Sequence, residues 1–300
     1  MLKNFEEMAV LVKNNPTKKR VIVVGAHDEH TLEGVSLACK ENIAEPVLIG
    51  DVEKIRKLIS LHGYQLGEAE LIESGNDVDA ARTAVRLIHE GAGDFLMKGN
   101  MQTADLLREV VNKQTGLRTG SIMSHVALVE VPGYHKVVIL TDVGMLPHPD
   151  LQQKVKIIDN AVSVLRSMGY SQPKVAVLAA AEVVNEKAME SVEAKTLKEM
   201  NLAGQIADCI VEGPISYDLA FSKEMAKFKK YSSPVAGDAD IVVVPNLAAG
   251  NILGKALVLT AGGAMIGIVS GAKVPLVVAS RGATAAEKYY SIVMAAAISR

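Results

Sequence analysis

A short polar cluster near the C-terminus combines side chains that suit an anionic substrate. An apolar run over residues 273–279 leads into Ser280 and Arg281, and a predicted helix begins shortly afterwards with Glu287 in its first turn. An arginine guanidinium matches phosphate oxygens, a serine hydroxyl donates a hydrogen bond, and a carboxylate accepts a proton. Because ligands of open α/β sheets bind outside the carboxyl ends of strands, this corner predicts a site for a phosphate-bearing substrate.

The same residues have a purely structural interpretation. Thr284 and Glu287 have the spacing of a capping box, in which two side chains satisfy backbone N–H groups at the start of a helix. Gly282 could serve only to supply an unusual backbone angle. Glu287 is therefore a candidate base or a helix cap, and both interpretations stay open here.

Composition limits the class of protein. The chain has 300 residues, of which 49% are hydrophobic and none is tryptophan, so an aliphatic core typical of parallel sheets covered by helices is expected. The net charge of −2 provides no basic field, so nucleic acid is not an expected partner. Cys39 and Cys209 fit no metal-ligand spacing and are expected to be free thiols in a reducing compartment.

No membrane association is expected from the sequence. The N-terminus mixes charged and apolar residues in an amphipathic pattern unlike a signal peptide. The apolar stretch over residues 261–279 is interrupted by glycines, Lys273 and Pro275, and is interpreted as two strands. We therefore expect a cytoplasmic protein.

Strand and helix patterns alternate along most of the chain, which favours βαβ units and a mainly parallel sheet. Two hairpin-like pairs interrupt this alternation, one around Pro132-Gly133 and one around Gly271-Ala272. The predicted fold is α/β, with two αβα domains and an interdomain cleft that holds the site. The first domain is expected to comprise residues 1–117 and 270–300, and the second residues 118–269.

Other strand-to-helix corners offer further ligands. Lys98 ends a predicted strand and could meet a phosphate, Thr103 is a predicted N-cap, and Arg108 follows in the helix, where a solvated surface position is the alternative. Near the first strand, His27, Asp28 and His30 could be considered as metal ligands, but no further ligand cluster accompanies them. A polar helix start that attracts anions is the favoured interpretation.

The stretch around Asn251 is close to a P-loop but departs from it. Ala249 replaces the first glycine and Ala256 replaces the hydroxyl residue that would hold magnesium, so the P-loop is rejected. Gly250 and Asn251 could still form a backbone nest for an anion, or simply a helix cap.

Seven segments, in order along the chain, together resemble one known family. They are residues 21–31, 46–50, 103–108, 141–145, 212–218, 245–251 and 280–282. The resemblance is to the phosphate acetyltransferase/phosphate butyryltransferase family, and residues 116–121 are more similar to its butyryl branch. It implies a fold similar to isocitrate/isopropylmalate dehydrogenase and a homodimer or higher homo-oligomer. It also implies transfer of a short acyl group between coenzyme A, a substrate here, and inorganic phosphate, without a metal in the chemical step.

Roles for individual residues follow from this resemblance. Ser280 matches the serine that hydrogen-bonds the acyl carbonyl, Arg281 the phosphate-binding arginine, and Arg108 a second active-site arginine. Glu287 occupies the place of an aspartate proposed to take the thiol proton of coenzyme A, but it is one methylene longer. His30 stands where acetyltransferases have an arginine. The expected substrate-binding set is Arg108, Thr103, Lys98, His30 and Asn251.

Three alternatives accompany this interpretation. A decarboxylating dehydrogenase of similar fold would need clustered aspartates and a nicotinamide site, and neither pattern is found. A non-catalytic sensor of coenzyme A or acyl phosphate would bind without turnover. Acetyl instead of butyryl as the preferred acyl group is the closest alternative, because pocket size is not readable from the sequence.

Overall fold

The structure is a computed structural model that describes residues 1–14, 17–280 and 282–299. The chain divides into two compact units. The central unit comprises Met1–Asn4 and Ile122–Met265, and the terminal unit comprises Phe5–Ser121 and Ile266–Arg300. The domain division expected from the sequence, at 117/118 and 269/270, stays a prediction.

Strands and helices alternate through the described residues, which gives a mixed α/β fold with mainly parallel sheets. The strands are β1 (Lys19–Val24), β2 (Ala44–Gly50), β3 (Glu70–Glu73), β4 (Phe95–Lys98), β5 (Ser124–Glu130), β6 (Val138–Thr141), β7 (Lys174–Leu178), β8 (Ile210–Ile215), β9 (Ile241–Val243), β10 (Ala264–Ser270) and β11 (Leu276–Val277). The helices are α1 (Phe5–Lys13), α2 (Glu29–Lys40), α3 (Val52–His62), α4 (Asp77–His89), α5 (Thr103–Val110), α6 (Leu151–Ser167), α7 (Met189–Leu202), α8 (Tyr217–Phe221), α9 (Lys223–Phe228), α10 (Leu247–Leu259) and α11 (Ala285–Ile298). Among these described helices, none has the length and apolar character required to cross a membrane.

The terminal unit is built on strands in the order β3-β2-β1-β4-β11-β10. Neighbouring strands are parallel from β3 to β11, and β10 pairs with β11 in the antiparallel direction. Strand β1 is fully buried over its last four residues, as expected for an interior strand of a parallel sheet. The carboxyl ends of β1, β4 and β11 therefore meet at one edge of this sheet.

Helix α11 packs against both α1 and α2 in the terminal unit. Gly34 allows α2 to approach α11 closely, since a Cβ atom there would lie 3.0 Å from the Ala285 carbonyl oxygen and 3.0 Å from Cβ of Lys288. Phe5 and Tyr290 also pack ring against ring, with centroids 5.5 Å apart. The first turns of α2 and α11 are thereby held side by side.

The central unit has strands in the order β5-β6-β9-β7-β8, of which only the β5/β6 pair is antiparallel among the described pairings. Its core is aliphatic, with fully buried residues such as Ala127, Val242 and Leu219. The first turn of α6 is fixed by a capping box between Asp150 and Gln153. The β5/β6 hairpin agrees with the Pro132-Gly133 signal in the sequence.

A buried ion-pair network joins the amino ends of β6, β9 and β7. The Lys136 ammonium, on a side chain with no exposed surface, donates to an Asp240 carboxylate oxygen 2.5 Å away and to the Asp238 carbonyl at 2.9 Å. Asp238 also pairs with Lys174 and His135. Burial opposes ionisation of Asp238, but hydrogen bonds from Lys174, Lys136 and His135 outweigh it and place the pKa of this carboxyl well below its usual value.

Side-chain caps decide where two helices of the central unit begin. Helices α8 and α9 are separate because Ser222 adopts an extended conformation and its hydroxyl caps α9. Helix α10 begins at Leu247, because the Asn246 side chain accepts a hydrogen bond from the Ala249 N–H and caps it.

Candidate functional site

Two strand-to-helix corners of the terminal unit are in direct contact. Gly25, after β1, and Gly99, after β4, approach so closely that a Cβ on Gly99 would lie 2.3 Å from the Gly25 carbonyl oxygen. The Gly99 N–H donates to the Val24 carbonyl at 2.8 Å, and the Asn100 N–H donates to the Gly25 carbonyl at 2.7 Å. The two loops are therefore fixed side by side, and the polar residues that they carry share one region.

A cavity of about 170 Å³ lies at this edge of the terminal unit. It is lined by Asp28, Lys98, residues 99–100, Ala279, Ser280 and Lys288. Asp28 follows β1, Lys98 ends β4, and residues 99–100 come directly after it. Ala279 and Ser280 follow β11, and Lys288 lies in the first turn of α11. The carboxyl ends of three parallel strands thus open on the cavity, which is the usual place for a ligand in such a sheet.

Lys288 is the most constrained cation of the cavity. It is only 5% exposed, and its ammonium donates to the Thr31 hydroxyl at 2.9 Å and to Asp28 Oδ1 at 3.2 Å. Asp28 Oδ1 also accepts the Thr31 N–H at 2.9 Å and so caps α2. Burial opposes ionisation of Asp28, but the neighbouring Thr31 side chain and N–H and the Lys288 charge outweigh it and hold the pKa of the carboxyl below its usual value.

Lys98 supplies a second buried cation. Lys98 is only 6% exposed, and its ammonium donates to the carbonyl oxygens of Gly99 at 3.0 Å and Met101 at 3.4 Å. A lysine ammonium has three donors. With Lys98 and Lys288 on one cavity that contains a single described carboxylate, Asp28, the local charge favours an anion.

The predicted catalytic cluster is described in part. Ser280 is exposed and lines the cavity, whereas Arg281 lies outside the described residues. Glu287 forms the capping box of α11, in which its Oε2 accepts the Thr284 N–H at 2.7 Å and the Thr284 hydroxyl at 3.0 Å. The structural alternative for Glu287 is thus present in the molecule, and both described bonds occupy the same carboxylate oxygen.

Three predicted substrate-binding residues lie in the terminal unit but do not line the cavity. Arg108 is on α5, with its side chain 66% exposed and paired with Asp105 at 2.9 Å. Thr103 is exposed and is not the N-cap that the sequence predicted, because Gln102 holds that position without a side-chain bond. His30 is exposed in the first turn of α2.

Asn251 belongs to the central unit. It is half-buried inside α10, more than a turn after the N-cap Asn246. The backbone nest considered for Gly250 and Asn251 is therefore wrong, since the Gly250 N–H donates within the helix to the Asn246 carbonyl. Asn251 keeps only its side chain as a candidate ligand.

Sequence reasoning missed Lys288 and its bonds to Asp28 and Thr31. A signal was present, because Lys288 is the single lysine of α11 and is followed by a long apolar run. A charged residue in such a helix is buried only where a partner compensates it. That partner lies 260 residues away in sequence.

Sequence comparison finds a matching protein family and similar curated proteins. The family described as "Phosphate acetyl/butaryl transferase" matches residues 75–296. Phosphate butyryltransferase of Clostridium acetobutylicum is 39% identical over 298 residues, which cover 99% of each chain. Phosphate acetyltransferase of Thermotoga maritima is 42% identical over 278 residues, covering 93% of this chain and 94% of that one.

A solved structure supports the same relationship. The crystal structure of a branched-chain phosphotransacylase from Enterococcus faecalis is 33% identical, with a TM-score of 0.81, and covers 92% of this chain and 97% of that one. Family match, sequence identity and three-dimensional similarity all extend over most of the chain. The chain belongs to the phosphate acetyl/butaryl transferase family.

Proposed function

We propose that this protein transfers a short acyl group, butyryl or similar, between coenzyme A and inorganic phosphate. The observation that carries the proposal is the similarity to a phosphate butyryltransferase over 99% of the chain. The cavity supports it, because Ser280 and two buried lysines provide hydrogen-bond donors and positive charge for an anionic substrate.

The chemical step is a direct displacement at the acyl carbon. The coenzyme A thiol loses its proton, its sulfur forms a bond to the carbonyl carbon of the acyl phosphate, and the bond from that carbon to the phosphate oxygen breaks. A thiol of pKa about 8.5 is mostly protonated at neutral pH, so a positioned base accelerates the attack. The reverse reaction uses the same groups.

The proposed roles follow the resemblance noted in the sequence. Ser280 stabilises the oxyanion, Arg281 and Arg108 neutralise the phosphate, and Glu287 accepts the thiol proton. Both described bonds to the Glu287 carboxylate reach Oε2, which supports a role for Oε1 in proton transfer alongside the capping box. The further residues proposed to bind substrate are Lys98, Thr103, His30 and Asn251.

Acetyl transfer is the second candidate function. It is favoured by the 42% identity to a phosphate acetyltransferase over 93% of the chain. The acyl groups differ by two methylenes, each worth about 1–3 kcal/mol in a hydrophobic pocket. Relative rates with a series of acyl groups therefore decide between the two.

Several finer features belong to the same proposal. They are the isocitrate/isopropylmalate dehydrogenase-like arrangement of two αβα domains, assembly into a homodimer or higher homo-oligomer, a cytoplasmic location and a chemical step without metal. The alternation of strands and helices in both units supports the first of these. The interdomain cleft stays a prediction.

The function is tested by following coenzyme A release from acetyl-, propionyl-, butyryl- and isobutyryl-coenzyme A with and without phosphate. We expect phosphate-dependent release that is fastest with a four-carbon group and unaffected by a chelator. Ser280→Ala should lower kcat by about 10²–10³, as loss of an oxyanion donor does. Ser60→Ala, an exposed serine on α3, is the matched control. Absence of phosphate-dependent release with every acyl group would refute the proposed function.

A further inference from the structure

The Asp28 carboxylate is an unusual component of an anion site. It lines the cavity beside two buried lysines, where a further negative charge opposes the binding of any anion. Its Oδ1 caps α2 and accepts the Lys288 ammonium. Its Oδ2 is buried and has no hydrogen-bond partner among the described residues.

A buried carboxylate oxygen without a donor is costly, so a donor is expected in the complete complex. The carboxylate is held ionised by Thr31 and Lys288 and therefore only accepts hydrogen bonds. Because Asp28 lines the cavity, a molecule bound there can supply that donor. Lys98 and Lys288 favour an anion at this place, and an anion that donates a hydrogen bond is one that still carries a proton.

We propose that Asp28 makes this cavity selective for a protonated tetrahedral oxyanion, hydrogen phosphate, over an unprotonated one of the same shape, such as sulfate. The proposal rests on the proposed function, in which inorganic phosphate is a substrate. Lys98 and Lys288 contact the charged oxygens, and the P–OH group donates to Asp28. Sulfate carries no proton at neutral pH, so its oxygens would face the carboxylate with no hydrogen bond between them.

The geometry of the surrounding helices fixes this carboxylate in place. Thr31 holds Asp28 from within α2, and Lys288 holds it from α11, whose approach depends on the missing side chain at Gly34. A fixed acceptor cannot turn away from sulfate, so the unfavourable contact persists in the bound state. Specificity then arises from an unfavourable contact with the wrong ligand in addition to a favourable one with the right ligand.

Direct anion binding tests the proposal without requiring turnover. Binding of phosphate, arsenate and sulfate to the full chain is measured by titration calorimetry at neutral pH. We expect phosphate and arsenate, which both keep a proton, to bind at least about tenfold more tightly than sulfate, because one buried acceptor is left unpaired by sulfate. Equal affinity for phosphate and sulfate, or no measurable phosphate binding, would overturn the proposal.

The Asp28→Asn variant separates selectivity from folding. Asparagine caps helices about as well as aspartate, so α2 should remain intact, and its amide can donate to sulfate. The phosphate-to-sulfate preference should fall by about tenfold or more, mainly through tighter sulfate binding. Asp51→Asn, which alters the equivalent N-cap of α3 away from the cavity, should keep the wild-type preference. An unchanged preference in Asp28→Asn contradicts the proposal.

Failure of this proposal is distinguishable from failure of the proposed function. A protein that releases coenzyme A with phosphate but binds sulfate equally well keeps its function and loses the selectivity assigned to Asp28. A protein that prefers phosphate to sulfate but turns over no acyl-coenzyme A keeps the selectivity and loses the function.

Discussion

Glu287 combines a structural contact and a proposed chemical role in one carboxylate. Its Oε2 closes the capping box with Thr284, and proton acceptance is proposed for the same side chain. Glutamine also serves in a capping box, but it does not accept a proton. The two roles can therefore be separated by a conservative substitution.

Glu287→Gln is expected to lower kcat by about 10²–10⁴, because general base catalysis is lost, with little change in thermal stability. Glu287→Ala should lose the same activity and also about 1 kcal/mol of stability with the cap. Steady-state kinetics and thermal unfolding of both variants provide the measurement. Full activity in Glu287→Gln would assign Glu287 to the cap alone.

Arg108 is proposed to bind substrate, although its side chain is exposed and paired within its own helix. An exposed i,i+3 ion pair contributes well under 1 kcal/mol to stability. Arg108→Ala should therefore leave the unfolding free energy nearly unchanged and raise KM for phosphate or acyl phosphate by about tenfold, as loss of a charged hydrogen bond does.

Arg86 provides a matched control for this prediction. Its side chain is 58% exposed and pairs with Glu90, at i,i+4, near the end of α4 of the same unit. Arg86→Ala should leave KM unchanged. Equal effects of the two substitutions on KM would indicate a general charge effect and remove Arg108 from the site.

Among the elements, α10 shows how a single cap decides where a helix starts. Asn246 accepts the Ala249 N–H at 3.0 Å, and the helix continues from Leu247 through the Gly250-Asn251 pair. Asn251 lies within the helix, where alanine has a higher propensity than asparagine. The two asparagines are therefore expected to differ in their contribution to stability.

Asn246→Ala should lower the unfolding free energy by about 1 kcal/mol through loss of the N-cap. Asn251→Ala should change it by less than about 0.5 kcal/mol. Urea denaturation followed by circular dichroism measures both. A larger loss in Asn251→Ala than in Asn246→Ala would contradict the helix start seen at Leu247.

For the whole molecule, the ion-pair network around Asp238 predicts how stability depends on pH. The pKa of Asp238 is lowered in the folded protein by Lys174, Lys136 and His135. A carboxyl with a lowered folded pKa stabilises the protein above its unfolded pKa, about 3.9, and this contribution is lost as pH falls through the folded value. Stability should therefore decrease in acid below about pH 4.

Asp238→Asn tests this dependence. The variant should be less stable than the wild type by about 1–3 kcal/mol at pH 7, because hydrogen bonds to a charged group are lost. The difference should shrink as pH falls below about 4, because Asp238 takes up a proton in the unfolded wild type while it is still ionised in the folded protein. Urea midpoints at pH 7, 5 and 3 provide the measurement, with Asp159→Asn, an exposed partner of Lys156, as control. A difference independent of pH would contradict the prediction.

Local sequence signals determined much of the secondary structure of this protein and its family. The periodic runs and hairpin signals predicted the alternation of elements and the antiparallel β5/β6 and β10/β11 pairs. The Thr284–Glu287 cap was readable because a capping box depends on residues only three positions apart. The order of short motifs predicted the family, since each motif is a run of neighbouring residues along the chain.

Only the tertiary structure decided which of these corners share a cavity. Asp28 and Lys288 are 260 residues apart, and their pairing depends on the packing of α2 against α11 at Gly34. Lys98 joins them because Gly25 and Gly99 let two loops touch. Periodicity and capping patterns depend on residues that are neighbours along the chain. Whether a charged side chain can be buried depends instead on the residues that pack around it, and these are distributed over the whole terminal unit.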